Sequence, residues 1–199
     1  MHRLTLICHA ATTAQRRGVF PDDSPIAADE RVGAAIRRRL GRIDVALTGP
    51  RLATRQTAEA LSLDAAIDHA LGDLDLGRWT GRSLVEVQAA EGDAVAAWLA
   101  DETVAPHGGE SRALLATRVA AFLDMCGASR GHTVAVTHPA VIRAAVLIAL
   151  GAPASAFWRL DVEPLSLTDL RFDGRRWAVR SLGLSIGSGE HGHEEHVPL

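Results

Sequence analysis

The sequence predicts an α/β fold, a three-layer sandwich with a mostly parallel central sheet flanked by helices. Three observations carry this reading. Short apolar runs alternate with longer segments of helical spacing, the pattern of parallel strands joined by helical crossovers. Two of those runs, "LTLICH" and "VAVTH", deliver a histidine at their end. The chain has 199 residues, 47% of them hydrophobic, which suffices for one well-buried core and leaves no room for a second full domain. We expect a single domain over residues 1–184 and a flexible, His-rich tail over 185–199.

The elements follow in order. "LTLIC" (Leu4–Cys8) reads as a buried strand, and the polar "TTAQRRGVFPDDSP" as a loop. "AADERVGAAIRRRLG" has helical spacing, with Val32, Ile36 and Leu40 on one face and Gly41 at its end. The block Arg37–Arg39 is read as that helix's solvated face. "DVALTGP" is a second strand, stopped by Gly49 and Pro50, and "ATRQTAEALS" a helix. "LGDLDLGRWTG" is a glycine-punctuated loop. "SLVEVQAAEGDAVAAWLAD" is helical with a break near Gly92, "HGG" (His107–Gly109) a turn, and "ESRALLATRVAAFLDMCG" a long amphipathic helix. A third strand, Thr133–Thr137, leads into His138, and Pro139 suits the first turn of the apolar helix behind it. "LSLTDLRFDGRRWAVRSLG" reads as a hairpin turning at Asp173-Gly174.

Composition excludes several classes. The net charge of −3 is not that of a nucleic-acid binder. All basic side chains are arginine, a residue that grips phosphate but also serves as ordinary surface. Two cysteines make no disulfide framework and suit a reducing compartment. The N-terminal apolar run is too short for a signal peptide, and no run approaches the ~20 residues of a membrane span. The expectation is a cytoplasmic protein with a small-molecule substrate or ligand, without nucleic-acid or membrane partners. An exposed sheet edge near the final hairpin leaves a homodimer possible.

In parallel sheets, ligand sites form at the carboxyl ends of strands. His9 and His138 both sit there, so they converge in one crevice although distant in sequence. One strand-end histidine alone is ordinarily a hydrogen-bonded structural residue. The pair, with its surroundings, is more specific.

Five ordered blocks carry a resemblance. They are "CHAAT" (Cys8–Thr12), "GPRLATRQTAEAL" (Gly49–Leu61), "LGDLDLGRWTG" (Leu71–Gly81), Gly108 or Gly109 with Glu110 and Ser111, and "VTHPAVIR" (Val136–Arg143). Over nearly the whole chain, up to about Leu184, the sequence resembles the histidine phosphatase superfamily, also called phosphoglycerate mutase-like. The resemblance implies that family's sandwich fold and no cofactor. It makes His9 the nucleophile that becomes a phosphohistidine, and His138 the second histidine of the pocket. Asp73 falls where the family acid is usually a glutamate, one methylene longer. Thr12 and Glu110 fall on recurring pocket or support positions. Such chemistry needs a neutral imidazole aimed at phosphorus, cations around the phosphoryl oxygens, and an acid for the leaving oxygen.

The pattern is broken at the cations. The family's arginine before the nucleophile is Cys8 here, and the second pocket arginine is Ala53. The glycine after the nucleophile is Ala10, and the serine opening the second block is Gly49. Arg51, Arg16 and Arg17 are candidate replacements, whereas Arg55 should point elsewhere on its helix. Cys8 is no cysteine-phosphatase nucleophile, because the required arginine six residues on is Ala14. It reads as a small buried thiol, and Cys126 likewise as packing.

Three readings stay open. The first is phosphomonoester hydrolysis through His9 with Asp73, His138 and a relocated arginine. The second is an inactive pseudophosphatase acting as a binding or regulatory module. The third is an enzyme repurposed for a less anionic substrate. Trp79, beside Asp73 in its loop, is a candidate pocket wall. The tail histidines His191, His193 and His196 are weak candidate metal ligands, with a solvated tail the plainer reading.

Overall fold

A computed structural model describes residues 1–27 and 34–184 of the chain. Val32 and the tail histidines His191, His193 and His196 lie outside the described residues. The strands are β1 (His2–Cys8), β2 (Val45–Thr48), β3 (Ala66–Ile67), β4 (Gly131–Thr137), β5 (Leu167–Phe172) and β6 (Trp177–Leu184). The helices are α1 (Thr13–Arg16), α2 (Ala34–Leu40), α3 (Leu52–Ala60), α4 (Leu84–Ala100), α5 (Arg112–Gly127) and α6 (Pro139–Leu150).

The six strands form one sheet in the order β3-β2-β4-β1-β5-β6. The first four are mutually parallel, while β5 and β6 run antiparallel at one edge. Crossover helices link the parallel strands, and the short Asp173–Arg176 connection lets the last two pair as the expected hairpin.

Alternation along β1 divides the core between the two faces. Leu4, Leu6 and Cys8 pack with α4, α5 and α6, while Ile7 packs on the opposite face with Ile36 and Leu40 of α2 and with Leu61 beyond α3. All four β1 residues are fully buried, as expected of a strand covered by helices on both sides. This is the three-layer sandwich. Among the described residues no helix is long and apolar enough to cross a membrane.

One local reading needs correction. The stretch after His9 is not all loop, because α1 forms a single turn there. Thr12 caps it, accepting a hydrogen bond from the Gln15 N–H at 3.2 Å, while Gln15 Oε1 accepts from the Thr12 N–H at 3.0 Å. This capping box supplies partners that four residues alone lack. The turn Ala154–Arg159 and the two-residue β3 were not foreseen either. The expected break in α4 is present at Glu91, one residue before Gly92, with φ −139° and ψ 41°.

Candidate active site

The register of the sheet builds the site. Cys8 pairs with Thr137 across the parallel β1–β4 ladder, so His9 and His138 leave the sheet side by side. The His9 N–H donates to the Thr137 carbonyl at 2.9 Å, extending the ladder by one rung. On the next strand, Thr48 pairs with Val136, which brings Gly49 and the N-terminal end of α3 to the same rim. Three parallel strands thus direct their carboxyl ends at one crevice.

The imidazoles of His9 and His138 stand 4.9 Å apart, ring centre to ring centre, at 66°. Both are almost completely buried, at 4% and 2% exposure. His9 Nδ1 lies 2.7 Å from the carbonyl oxygen of Ala10. A carbonyl only accepts, so Nδ1 carries the proton and Nε2 holds the lone pair. Burial lowers the His9 pKa, with the Ala10 bond and the Asp73 charge opposing. For His138, burial is again the main cause, and its pKa falls to about 4. At neutral pH both rings are uncharged, as a nucleophilic imidazole must be.

Asp73 comes from the loop behind the helical turn His69–Leu71. Its Oδ1 accepts from the Leu74 N–H at 2.9 Å, and its Oδ2 lies 3.5 Å from His138 Nδ1. The shorter acid reaches the site because its loop is held close. A Cβ on Gly49 would stand 2.7 Å from the Leu71 carbonyl oxygen, inside contact distance. Glycine in place of the family serine is what permits that approach. Thr137 Oγ1 donates to the same carbonyl at 2.7 Å.

Arg118 on α5 holds this loop and was not singled out in the sequence. Its Nε and Nη2 grip both Glu110 carboxylate oxygens at 3.0 and 2.7 Å. Its remaining N–H groups donate to the carbonyls of Ala70, Gly72 and Asp73 at 2.7, 3.0 and 3.4 Å. The one available signal was the two-turn spacing from Glu110 to Arg118. Glu110 is therefore a support for the acid's loop.

The missing cations are accounted for residue by residue. Cys8 is fully buried. Burial, reinforced by the Asp73 charge, pushes its thiol far above the ordinary range. It is an inert packing group under the site. Ala53 is buried in the first turn of α3. Arg51, the N-cap of α3, lies near enough that its charge lowers the pKa of both His9 and His138. Arg16 and Arg17 are exposed at the end of α1, and Arg55 is exposed on α3.

Trp79 is not a pocket wall. It is fully buried between Phe20, Trp98 and His107, and its indole N–H donates to Glu91 at 3.1 Å. The helical turn Gly77–Trp79 folds it inward. Trp98 and Trp158 stand nearer the crevice, walling a cavity that Asp73 also lines. Thr12 serves as the α1 cap described above. Among the described residues no group of three or more His, Cys, Asp or Glu side chains is arranged to hold a metal ion.

Several known proteins are similar to this chain. A bifunctional protein of Mycobacterium tuberculosis is 30% identical over 153 residues, covering 72% of this chain but 42% of that protein. The chain thus spans about two-fifths of the length of that relative. Phosphoserine phosphatase 1 of Hydrogenobacter thermophilus is 27% identical over 164 residues, covering 79% of this chain and 78% of the relative. The vanadate complex of a mycobacterial glucosyl-3-phosphoglycerate phosphatase superposes with a TM-score of 0.82 at 25% identity, over 93% of this chain and 100% of that one. Residues 4–185 match the family model of the histidine phosphatase superfamily, branch 1, and the chain belongs to that superfamily.

Proposed function

We propose that the protein hydrolyses phosphomonoesters through a phosphohistidine at His9. The observation that carries this reading is the fixed tautomer of His9, whose Nδ1 is tied to the Ala10 carbonyl at 2.7 Å beside the His138 ring. That bond leaves the Nε2 lone pair for attack. The similar proteins of Hydrogenobacter and mycobacteria are phosphatases, which supports the same reaction class.

His9 Nε2 attacks phosphorus in line with the ester oxygen. The N–P bond forms as the P–O bond breaks, and Asp73 passes to the departing oxygen the proton it has taken from the bound ester monoanion. Asp73 then takes a proton from water as that water attacks the phosphohistidine. The N–P bond breaks, inorganic phosphate leaves and His9 returns to its neutral form. His138 and Arg51 donate to the phosphoryl oxygens, and the N-terminus of α6 adds positive potential behind His138. Arg51 takes over, in part, the work of the two arginines replaced by Cys8 and Ala53.

The test is phosphate release from a broad phosphoester panel, wild type beside His9→Ala. Release that disappears in the variant is the expected result. Release unchanged in the variant overturns the mechanism. The absence of both pocket arginines favours a second reading, binding without turnover or chemistry on a less anionic ligand. Silence of the wild type across the panel would favour that one.

A further inference from the structure

Beside the histidine pair lies a cavity of about 330 Å3, within the size range of small-molecule sites. Neither histidine is among its described lining residues, and it meets the site through Asp73 and through the segments that follow each histidine. Gln15 of α1 follows His9, Pro139 and Ala140 follow His138, and Asp73 itself is part of the wall. The rest is largely aromatic and aliphatic, with Phe20, Trp98, Phe157 and Trp158 among the lining side chains. Among the described residues that line it, Asp73 and Arg143 are the only charged ones. Arg143 is anchored by its Nε to the Leu160 carbonyl at 2.8 Å and lies over the rings of Phe157 and Trp158 at 5.7 and 5.8 Å. Its guanidinium continues the stacking surface.

Resting on the phosphatase reading, we infer that this cavity receives the leaving group and selects phosphomonoesters of aromatic alcohols. The acid fixes the direction. Asp73 must face the oxygen that departs, so the alcohol occupies space that Asp73 borders. Asp73 also borders a wider opening shared with His69, Asp75, Glu110 and Arg118. Among the described residues of that second space Asp73 alone stands beside a histidine of the pair, and its rim carries Asp75, Glu110 and Arg118. The aromatic cavity touches the segments after both. A small polar alcohol would leave its walls without contacts, and a ring would bury against them and stack.

Benzyl phosphate and ethyl phosphate test this, because both release an alkyl alcohol and differ in the ring. We expect kcat/KM to favour benzyl phosphate by roughly 10- to 100-fold. Trp158→Ala, at a partly exposed position, is expected to shrink that ratio about tenfold. Calorimetric titration of His9→Ala with the same two esters reads the preference without turnover. Equal kcat/KM for the two esters, or a ratio that Trp158→Ala leaves intact, overturns the inference while the phosphatase reading stands. If no ester is hydrolysed but benzyl phosphate still binds His9→Ala more tightly, the phosphatase reading fails and the aromatic site stands. Equal binding of both esters without hydrolysis overturns both.

Discussion

Arg118→Met removes the clamp on the acid's loop while keeping much of the side-chain bulk. Arg118 and Glu110 expose 24% and 17% of their side chains, so water reaches the pair in part. Breaking a fully buried pair costs about 3–5 kcal/mol, and that exposure reduces the figure to about 2–3 kcal/mol. For a chain of this length the loss corresponds to a Tm lower by about 5–10 °C. The catalytic consequence is more specific. The carbonyls of Ala70, Gly72 and Asp73 lose their common donor, so Asp73 is free to drift from its place 3.5 Å from His138. A displacement near 1 Å costs on the order of a hundredfold in rate. The loss should fall on substrates that need the acid. Benzyl phosphate and 4-nitrophenyl phosphate share a ring but differ in the basicity of the departing oxygen. We expect kcat for benzyl phosphate to fall about a hundredfold and kcat for 4-nitrophenyl phosphate far less, measured well below the variant's Tm. Equal losses on both esters would refute the positioning argument and leave Arg118 a purely structural residue.

Other outcomes follow from the same geometry. Arg51→Ala should lower kcat/KM roughly 10- to 100-fold, the value of one charge-assisted hydrogen bond to a phosphoryl oxygen, and should weaken vanadate inhibition in parallel. Gly49→Ala places a Cβ 2.7 Å from the Leu71 carbonyl oxygen and should cost about 1–3 kcal/mol in chemical denaturation, with benzyl phosphate hydrolysis impaired as in Arg118→Met. The pKa of His138 is about 4 in the folded protein against an ordinary 6.5, so between those values the unfolded chain binds more protons. The stability from keeping this ring neutral is complete above pH 6.5 and is lost as pH falls toward 4, by about 3 kcal/mol from this residue alone; His138→Asn should flatten that part of a denaturation profile.

The sheet and the convergence of the two histidines were legible because local signals determined them. Apolar runs of strand length alternate with helical segments, and each histidine directly follows a run. What local pattern cannot carry is the side-chain path across the fold. Arg118 sits in mid-helix with no local motif around it, and only the packing of α5 against the His69–Leu71 turn brings it to the Asp73 loop. Trp79 was read as a pocket wall by its closeness to Asp73 in sequence, yet its helical turn buries it and leaves that role to Trp98 and Trp158. Gly49 read as a lost serine, and its meaning is steric. Without its Cβ the shorter acid's loop comes within reach.

The losses and gains around His9 have a common energetic logic. Two arginines fewer means less charge stabilisation where it strengthens most, on the phosphoryl group in the transition state. On the inferred role of the aromatic cavity, binding energy would come from the part of the substrate that does not react. That energy acts on ground state and transition state alike, so it lowers KM more than it raises kcat. The site should therefore be slow but retentive for a matched ester, and almost inert toward small polar ones. The buried, neutral histidine pair fits that design. Burial is the dominant influence on both rings and favours their neutral form, the form the proposed attack by His9 needs.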